Sequence, residues 1–300
     1  MTLTHSSFRL EIDEISSEIH KLTQNLYIEK NVTTKPDVPA LRIQLLNLFL
    51  HDAAVPKQLR KAYCVTAGLI QMGLDLHESI TVQKEIQDKA IRNRQLSILA
   101  GDYFSSKYYA LLSQYNLIDG VKKLANGIKK INIAKMRLYT NIQNEEMLYS
   151  DEILEVVKEK ESSLYTQFLD ETSSESRRNQ WHHLITDMIT LFTLLDELQQ
   201  KQNYLYRNQF SFHLVNHYAN YNEKLEVQNL VYSELKSKMK KLYLKYDIQG
   251  KIEDIMQHLY NSLKERVVQL DNPAIIGELQ LMLDHYESTF QLQMKVAKEI

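Results

Sequence analysis

Phe8, Leu10, Ile12, Ile15, Ile19, Leu22 and Leu26 recur at close to helical spacing, so the first predicted element is a helix over 8–28. Pro36 and Pro39 mark 31–39 as a loop, and Pro39 suits the first turn of a second helix over 38–51. Pro56 opens a third helix, in which 63–76 is apolar nearly all round, the pattern of a central, buried element. The polar stretch 79–90 reads as loop or weak helix, and 95–115 as another buried helix. Asp119 stands at the cap position of the next, which runs to about Tyr139. Helices follow over 151–168 and, after a Ser/Thr-rich loop at 170–176, over 181–202. The Tyr- and Phe-rich segment 203–222 shows no clear period. A charged amphipathic helix over 224–246 ends before Gly250, and another spans 251–270. Asp271-Asn272-Pro273 then signals the start of the last helix. No segment alternates apolar and polar positions as a half-buried strand does, and no fixed repeat is visible.

The pattern predicts an all-α chain, and composition agrees. Seven Gly and four Pro in 300 residues leave few turns and long elements. The expectation is one domain over 1–300, with an N-terminal helix and linker at 1–37, a core region at 38–202 and C-terminal helices at 203–300. A net charge of −2 provides no global field to attract nucleic acid. The single cysteine, Cys64, lies in an apolar run, which excludes an intrachain disulfide framework or a Cys-based zinc site and makes it a small buried hydrophobe. No stretch approaches the roughly 20 uninterrupted apolar residues of a bilayer crossing. The expected location is cytoplasmic, with peripheral contact to a membrane left open.

Three stretches carry candidate chemistry. The first is Leu74-Asp75-Leu76-His77-Glu78-Ser79-Ile80-Thr81-Val82. The second is Arg92-Asn-Arg94-Gln-Leu-Ser-Ile-Leu99-Ala-Gly101-Asp102-Tyr103-Phe104-Ser105, in which the arginines fall at the end of the predicted loop. The third is Leu191-Phe-Thr-Leu-Leu-Asp196-Glu197-Leu-Gln-Gln200. Their order resembles that of the trans-prenyl diphosphate synthases, whose first motif typically reads His-Asp-Asp-x-x-Asp, then a paired-Arg loop and a Leu-Ala-Gly-Asp-Tyr helix, with a second Asp-Asp-x-x-Asp motif further on. In that family the carboxylates hold Mg²⁺, and Mg²⁺ holds the allylic diphosphate. A diphosphate departs only when its developing charge is neutralised, which hard oxygen ligands on Mg²⁺ achieve. By the resemblance, His77 stands at the family His and Glu78 at the first acid, while Ser79 and Val82 occupy the other two acid positions. In the second motif only Asp196 and Glu197 are acidic.

Both cradles are thus degraded on a scaffold that otherwise keeps the order of the family. The implied fold is an isoprenoid-synthase-like helical bundle. The pattern is similar to that of the non-catalytic small subunit family, component 1, of heterodimeric heptaprenyl diphosphate synthases, over roughly 40–170. The resemblance implies no catalytic residue and no cofactor in this chain. It implies a catalytic prenyl diphosphate synthase partner that carries two aspartate-rich motifs and binds Mg²⁺, in making a heptaprenyl or hexaprenyl diphosphate for menaquinone. Candidate contacts with that partner are Arg94, Asp102, Tyr103, Phe104 and Tyr108, with the crowded Tyr103, Phe104, Tyr108 and Tyr109 reading as part core and part subunit contact. Asp102 has a plainer alternative, as a cap or pair for a neighbour beside a close helix contact at Gly101. Two other functions stay open. One is a stand-alone enzyme using Glu78, Asp102 and Asp196; the other is a helical scaffold or adaptor unrelated to isoprenoids.

Other patterns are weaker. His213 and His217, spaced i, i+4, can chelate a metal on a helix, but no metalloprotease glutamate follows His213. Lys122, Lys123, Lys129, Lys130, Lys135 and Arg137 form one basic run, and Lys236, Lys238, Lys240, Lys241 and Lys245 another. Each is a solvated face or a contact for an anionic membrane or acidic partner.

Overall fold

The structure, a computed structural model, describes residues 7–32, 36–78, 88–143, 148–200, 205, 207–229 and 232–298. Among the described residues the elements are α1 (Ser7–Thr23), α2 (Leu26–Asn31), α3 (Ala40–Asp52), α4 (Lys57–Glu78), α5 (Asp88–Gln114), α6 (Ile118–Ile142), α7 (Ser150–Thr166), a 3₁₀ turn at Leu169–Glu171, α8 (Glu175–Gln199), α9 (Phe210–Tyr218), α10 (Tyr221–Asn229), α11 (Tyr232–Lys245), α12 (Ile248–Val267) and α13 (Pro273–Lys298). No described residue is in a strand, so the all-α expectation holds.

Several boundaries differ from the pattern-based ones, each for a local reason. The apolar period runs on through 8–28, but Asn25 interrupts it. Its side-chain oxygen accepts from the N–H groups of Tyr27 (2.9 Å) and Ile28 (3.2 Å), capping α2 as a separate helix. Pro39 stands just ahead of α3 rather than in its first turn. Asp119 is the second residue of α6 rather than its cap, and its carboxylate turns to Lys123. α5 begins at Asp88, so Arg92 and Arg94 stand on a helix and not in a loop. Gly250 does not end a helix; it lies in the first turn of α12, where Asp247, at a φ of 46°, accepts from its N–H. The span 224–246 is divided between α10 and α11. Asn272 does cap α13, accepting from the Ala274 N–H at 3.1 Å.

The chain divides into two compact units: Met1–Gly127 with Leu164–Arg178, and Ile128–Ser163 with Asn179–Ile300. In the first, α4 is the central element. Its run from Ala62 to Gly73 is buried on all sides, as an apolar surface without a polar face requires. α1, α3 and α5 pack around it. A polar clasp closes one end: Arg60 pairs with Glu11 at 2.9 Å and donates to the Val55 carbonyl at 2.8 Å, and Asn47 also reaches Glu11. The Glu11 carboxyl is held below its usual range, since these bonds and the Arg60 charge outweigh burial, which alone raises it. Cys64 is fully buried, and burial pushes its thiol up.

In the second unit the part of α8 from Trp181 to Leu195 forms the buried centre. Lys158 of α7 pairs with Asp187 at 3.2 Å. Phe192 meets Tyr286 of α13 edge-on at 6.0 Å, and Tyr286 lies 5.3 Å from Tyr260 of α12.

Candidate functional site

The stretch that the sequence resemblance reads as a degraded first motif ends α4, beside a close crossing of α4 and α5. A Cβ on Gly73 would lie 2.9 Å from the Gly101 carbonyl oxygen, and one on Gly101 would lie 2.8 Å from His77 Nε2 and 3.0 Å from the Gly73 carbonyl oxygen. Two glycines therefore let the backbones of α4 and α5 touch. That approach brings His77 Nε2 within 3.4 Å of Asp102 Oδ1, an ion pair whenever the imidazole is protonated. One turn earlier, Gln71 donates to Asp75 at 2.8 Å and accepts from the Tyr165 hydroxyl at 3.3 Å. Asp75, His77 and Glu78 are all half-buried, with Asp75 and His77 committed to protein partners. Ser79 and Val82 lie outside the described residues.

The stretch that the resemblance reads as a degraded second motif ends α8, and its two acids face different ways. Asp196 is exposed. Glu197 is 3% exposed and turns inward. Its carboxylate accepts from the N–H of Phe210 (2.9 Å), the N–H of Ser211 (2.6 Å) and the Ser211 hydroxyl. Phe210 and Ser211 open α9, so Glu197 satisfies donors that a helix start leaves without intrahelical partners. Burial pushes the Glu197 carboxyl above its usual range, against the pull of these donors and of Lys160.

The side chains do not fit Mg²⁺ in the manner of the two-motif enzymes. Of the six motif positions, two carry Ser79 and Val82, one carries Gln200, and Glu197 has spent its oxygens on a helix end. Among the described residues, no group of three or more His, Cys, Asp or Glu could hold a metal ion.

The contact candidates on α5 separate by burial. Phe104 and Tyr108 are core residues and present nothing to a partner. Asp102 is exposed, Arg94 and Tyr103 are half-buried, and Lys107 Nζ lies 4.4 Å from the Tyr103 ring centre. Exposed on α5 are Tyr109 (52%), which belongs to the aromatic cluster singled out in the sequence, and Leu99 (62%), which no sequence signal marked as a contact. A cavity of about 520 Å³ was not legible in the sequence; Ile28, Val32, Met72, Leu76 and Phe104 are among its apolar residues, and Lys21 and Glu29 among its polar ones.

The basic run on α6 is not one solvated face. Lys123 is buried, and its ammonium pairs with Asp119 (3.1 Å), Asp170 (2.9 Å) and Glu171. Burial alone would lower its pKa, but the three carboxylates hold it above the usual range. In the second run Lys238 pairs with Glu226, and Lys245 with Glu223 at 2.7 Å. The two α9 histidines do not converge on a metal: His213 is fully buried, and His217 Nδ1 lies 3.1 Å from the Leu148 carbonyl oxygen.

The described residues are helical, with a glycine-mediated crossing of α4 and α5 and a helix-capping acid at the end of α8, within the all-α bundle that the sequence resemblance implies. Solved structures bear this out for the fold. The chain matches a decaprenyl diphosphate synthase from Rhodobacter capsulatus with a TM-score of 0.69 at 14% identity, covering 95% of this chain and 97% of that one. It matches heptaprenyl diphosphate synthase from Staphylococcus aureus with a TM-score of 0.66 at 12% identity, covering 95% and 98%. Identities this low establish the fold alone.

Residues 25–247 match the family model of heptaprenyl diphosphate synthase (HEPPP synthase) subunit 1, and the chain belongs to that family. A relative, heptaprenyl diphosphate synthase component 1 of Geobacillus stearothermophilus, is 36% identical over 77 residues, a stretch covering 25% of this chain and 33% of that protein.

Proposed function

We propose that this chain is the non-catalytic, regulatory subunit of a heterodimeric heptaprenyl or hexaprenyl diphosphate synthase. In this role it is needed for activity and for product length, in making the side chain of menaquinone. The observation that carries the proposal is the fate of Glu197. An acid remains at the second motif, but its carboxylate is buried on the start of α9. A catalytic partner with two complete aspartate-rich motifs then supplies the Mg²⁺ and all bond-making. The partner's carboxylates would hold the Mg²⁺ that neutralises the charge of the departing diphosphate.

This chain contributes surface and shape. The exposed Leu99 and Tyr109 give α5 an outer face suited to another protein, since aromatic and apolar side chains dominate the centres of such contacts. The close crossing at Gly73 and Gly101 keeps α5 pressed on α4, so that face is presented on a rigid support. The test is elongation of farnesyl diphosphate with radiolabelled isopentenyl diphosphate. The purified chain alone is expected to give no product, and the chain with its catalytic partner a polyprenyl product whose length changes when the chain is exchanged for a relative. Turnover by the chain alone defeats the proposal, as does a partner whose rate and product length ignore it.

A further inference from the structure

The part of α6 beyond Gly127 combines unpaired cations with exposed apolar side chains. From Gly120 to Ile142 the helix carries six basic residues and no acidic one, in a chain whose net charge is −2. Lys123 is consumed by its carboxylates. Lys129 and Lys130 are exposed, and among the described residues neither has an ion pair or hydrogen bond. Beside them stand Ile133 (47% exposed), Met136 (62%) and Tyr139 (53%). Lys129 and Ile133 are spaced i, i+4, and Met136 and Tyr139 follow at successive intervals of three, which places them along one side of the helix.

This composition discriminates between occupants. Lysine is depleted from contacts between proteins, where a desolvated ammonium must find a fixed partner. Lysine beside Ile, Met and Tyr is the make-up of helices that lie in the headgroup region, with the apolar side chains below and the long lysine stems reaching up to phosphate. We propose that the α6 face formed by Lys129, Ile133, Met136 and Tyr139, with Lys130 at its edge, rests on an anionic lipid surface. Lipid contact there needs no second subunit. It would hold an assembly whose product is a lipid next to the phase that receives it.

The experiment is co-sedimentation of the full chain, without partner, with phosphatidylcholine vesicles containing or lacking phosphatidylglycerol. Binding is expected only with the anionic lipid and is expected to fall steeply with salt. Replacing both cations, Lys129→Gln with Lys130→Gln, is expected to weaken it about thirtyfold. Lys129→Arg with Lys130→Arg is expected to retain it, and Ile133→Ser with Met136→Ser to weaken it at unchanged charge. All five side chains are at least partly exposed, so an unchanged circular dichroism spectrum and melting temperature verify each variant. Equal binding to both vesicle types, no binding to either, or no effect of the lysine-to-glutamine pair overturns the proposal. If vesicles are never bound while that pair loses a co-purified acidic protein, the face belongs to a protein and the lipid assignment is wrong. Neither result bears on whether the chain is catalytic.

Discussion

Replacing Glu197 by alanine removes one carboxylate and strands three donors. Phe210 and Ser211, which supply them, are 1% and 0% exposed, so water cannot easily replace the lost acceptor. A buried donor without a partner costs about 1–3 kcal/mol, and loss of a helix cap about 1 kcal/mol. Allowing for overlap between these and for partial hydration at the helix end, Glu197→Ala is expected to lose about 3–5 kcal/mol. Glu197→Gln keeps one acceptor oxygen but turns an amide N–H₂ toward a donor, and is expected to lose about 1–2 kcal/mol. Urea unfolding followed by circular dichroism measures both, with the slope checked for constancy. A metal-ligand role predicts the opposite signature, with a fold hardly disturbed by Glu197→Gln and metal-dependent behaviour abolished. An alanine variant within about 0.5 kcal/mol of the parent refutes the capping argument.

Three further outcomes follow from the same structure. Lys123→Met is expected to lose about 2–4 kcal/mol because Glu171 and Asp170 are left without their cation, whereas exposed Lys122→Met changes stability by less than about 0.5 kcal/mol; denaturant midpoints compare the two. Gly73→Ala forces a Cβ to 2.9 Å from a backbone oxygen and is expected to lose about 1–3 kcal/mol, while Gly277→Ala, with nothing within 4 Å, is expected to be neutral or slightly stabilising in thermal melts. His213 is the pH probe. Burial, then the Lys160 charge, pushes its imidazole from 6.5 down to about 3; the Arg207 backbone opposes this only weakly, and neither ring nitrogen makes a hydrogen bond of normal geometry. The unfolded chain therefore takes up a proton that the folded chain refuses, so stability is full above 6.5 and is lost as the pH falls toward 3. Between about pH 7 and about pH 5 this residue alone removes about 2 kcal/mol, and His213→Leu should abolish that part of the loss in paired urea titrations.

The long helices were legible because period and burial coincide in them. The stretch around Cys64 is apolar on every side, and it is the centre of its unit. Breaks made by a single polar side chain were not legible. Asn25 splits a continuous apolar pattern, and Asp247 makes room for a cap through Gly250, which the pattern takes for a helix end. At the candidate site, the sequence exposes the missing acids at Ser79 and Val82 directly. It does not reveal that Glu197 faces α9, because its partners lie thirteen and fourteen residues further on, in a segment without period. Lys123 shows the same limit. Among neighbouring lysines its burial depends on the acids at Asp170 and Glu171, far along the chain. The aromatic cluster of Tyr103, Phe104, Tyr108 and Tyr109 reads as part core and part subunit contact, because such clusters look alike in both settings; burial assigns Phe104 and Tyr108 to the core and leaves Tyr109 exposed.

The claim on which the proposed role depends is that this chain's own carboxylates do not grip a metal-bound diphosphate. Calorimetric titration of the purified chain with Mg²⁺ and a non-reactive farnesyl diphosphate analogue tests it directly. No saturable, Mg²⁺-dependent binding is predicted, either for the parent or for Asp196→Asn. Stoichiometric binding that requires Mg²⁺ and disappears in Asp196→Asn would contradict the account.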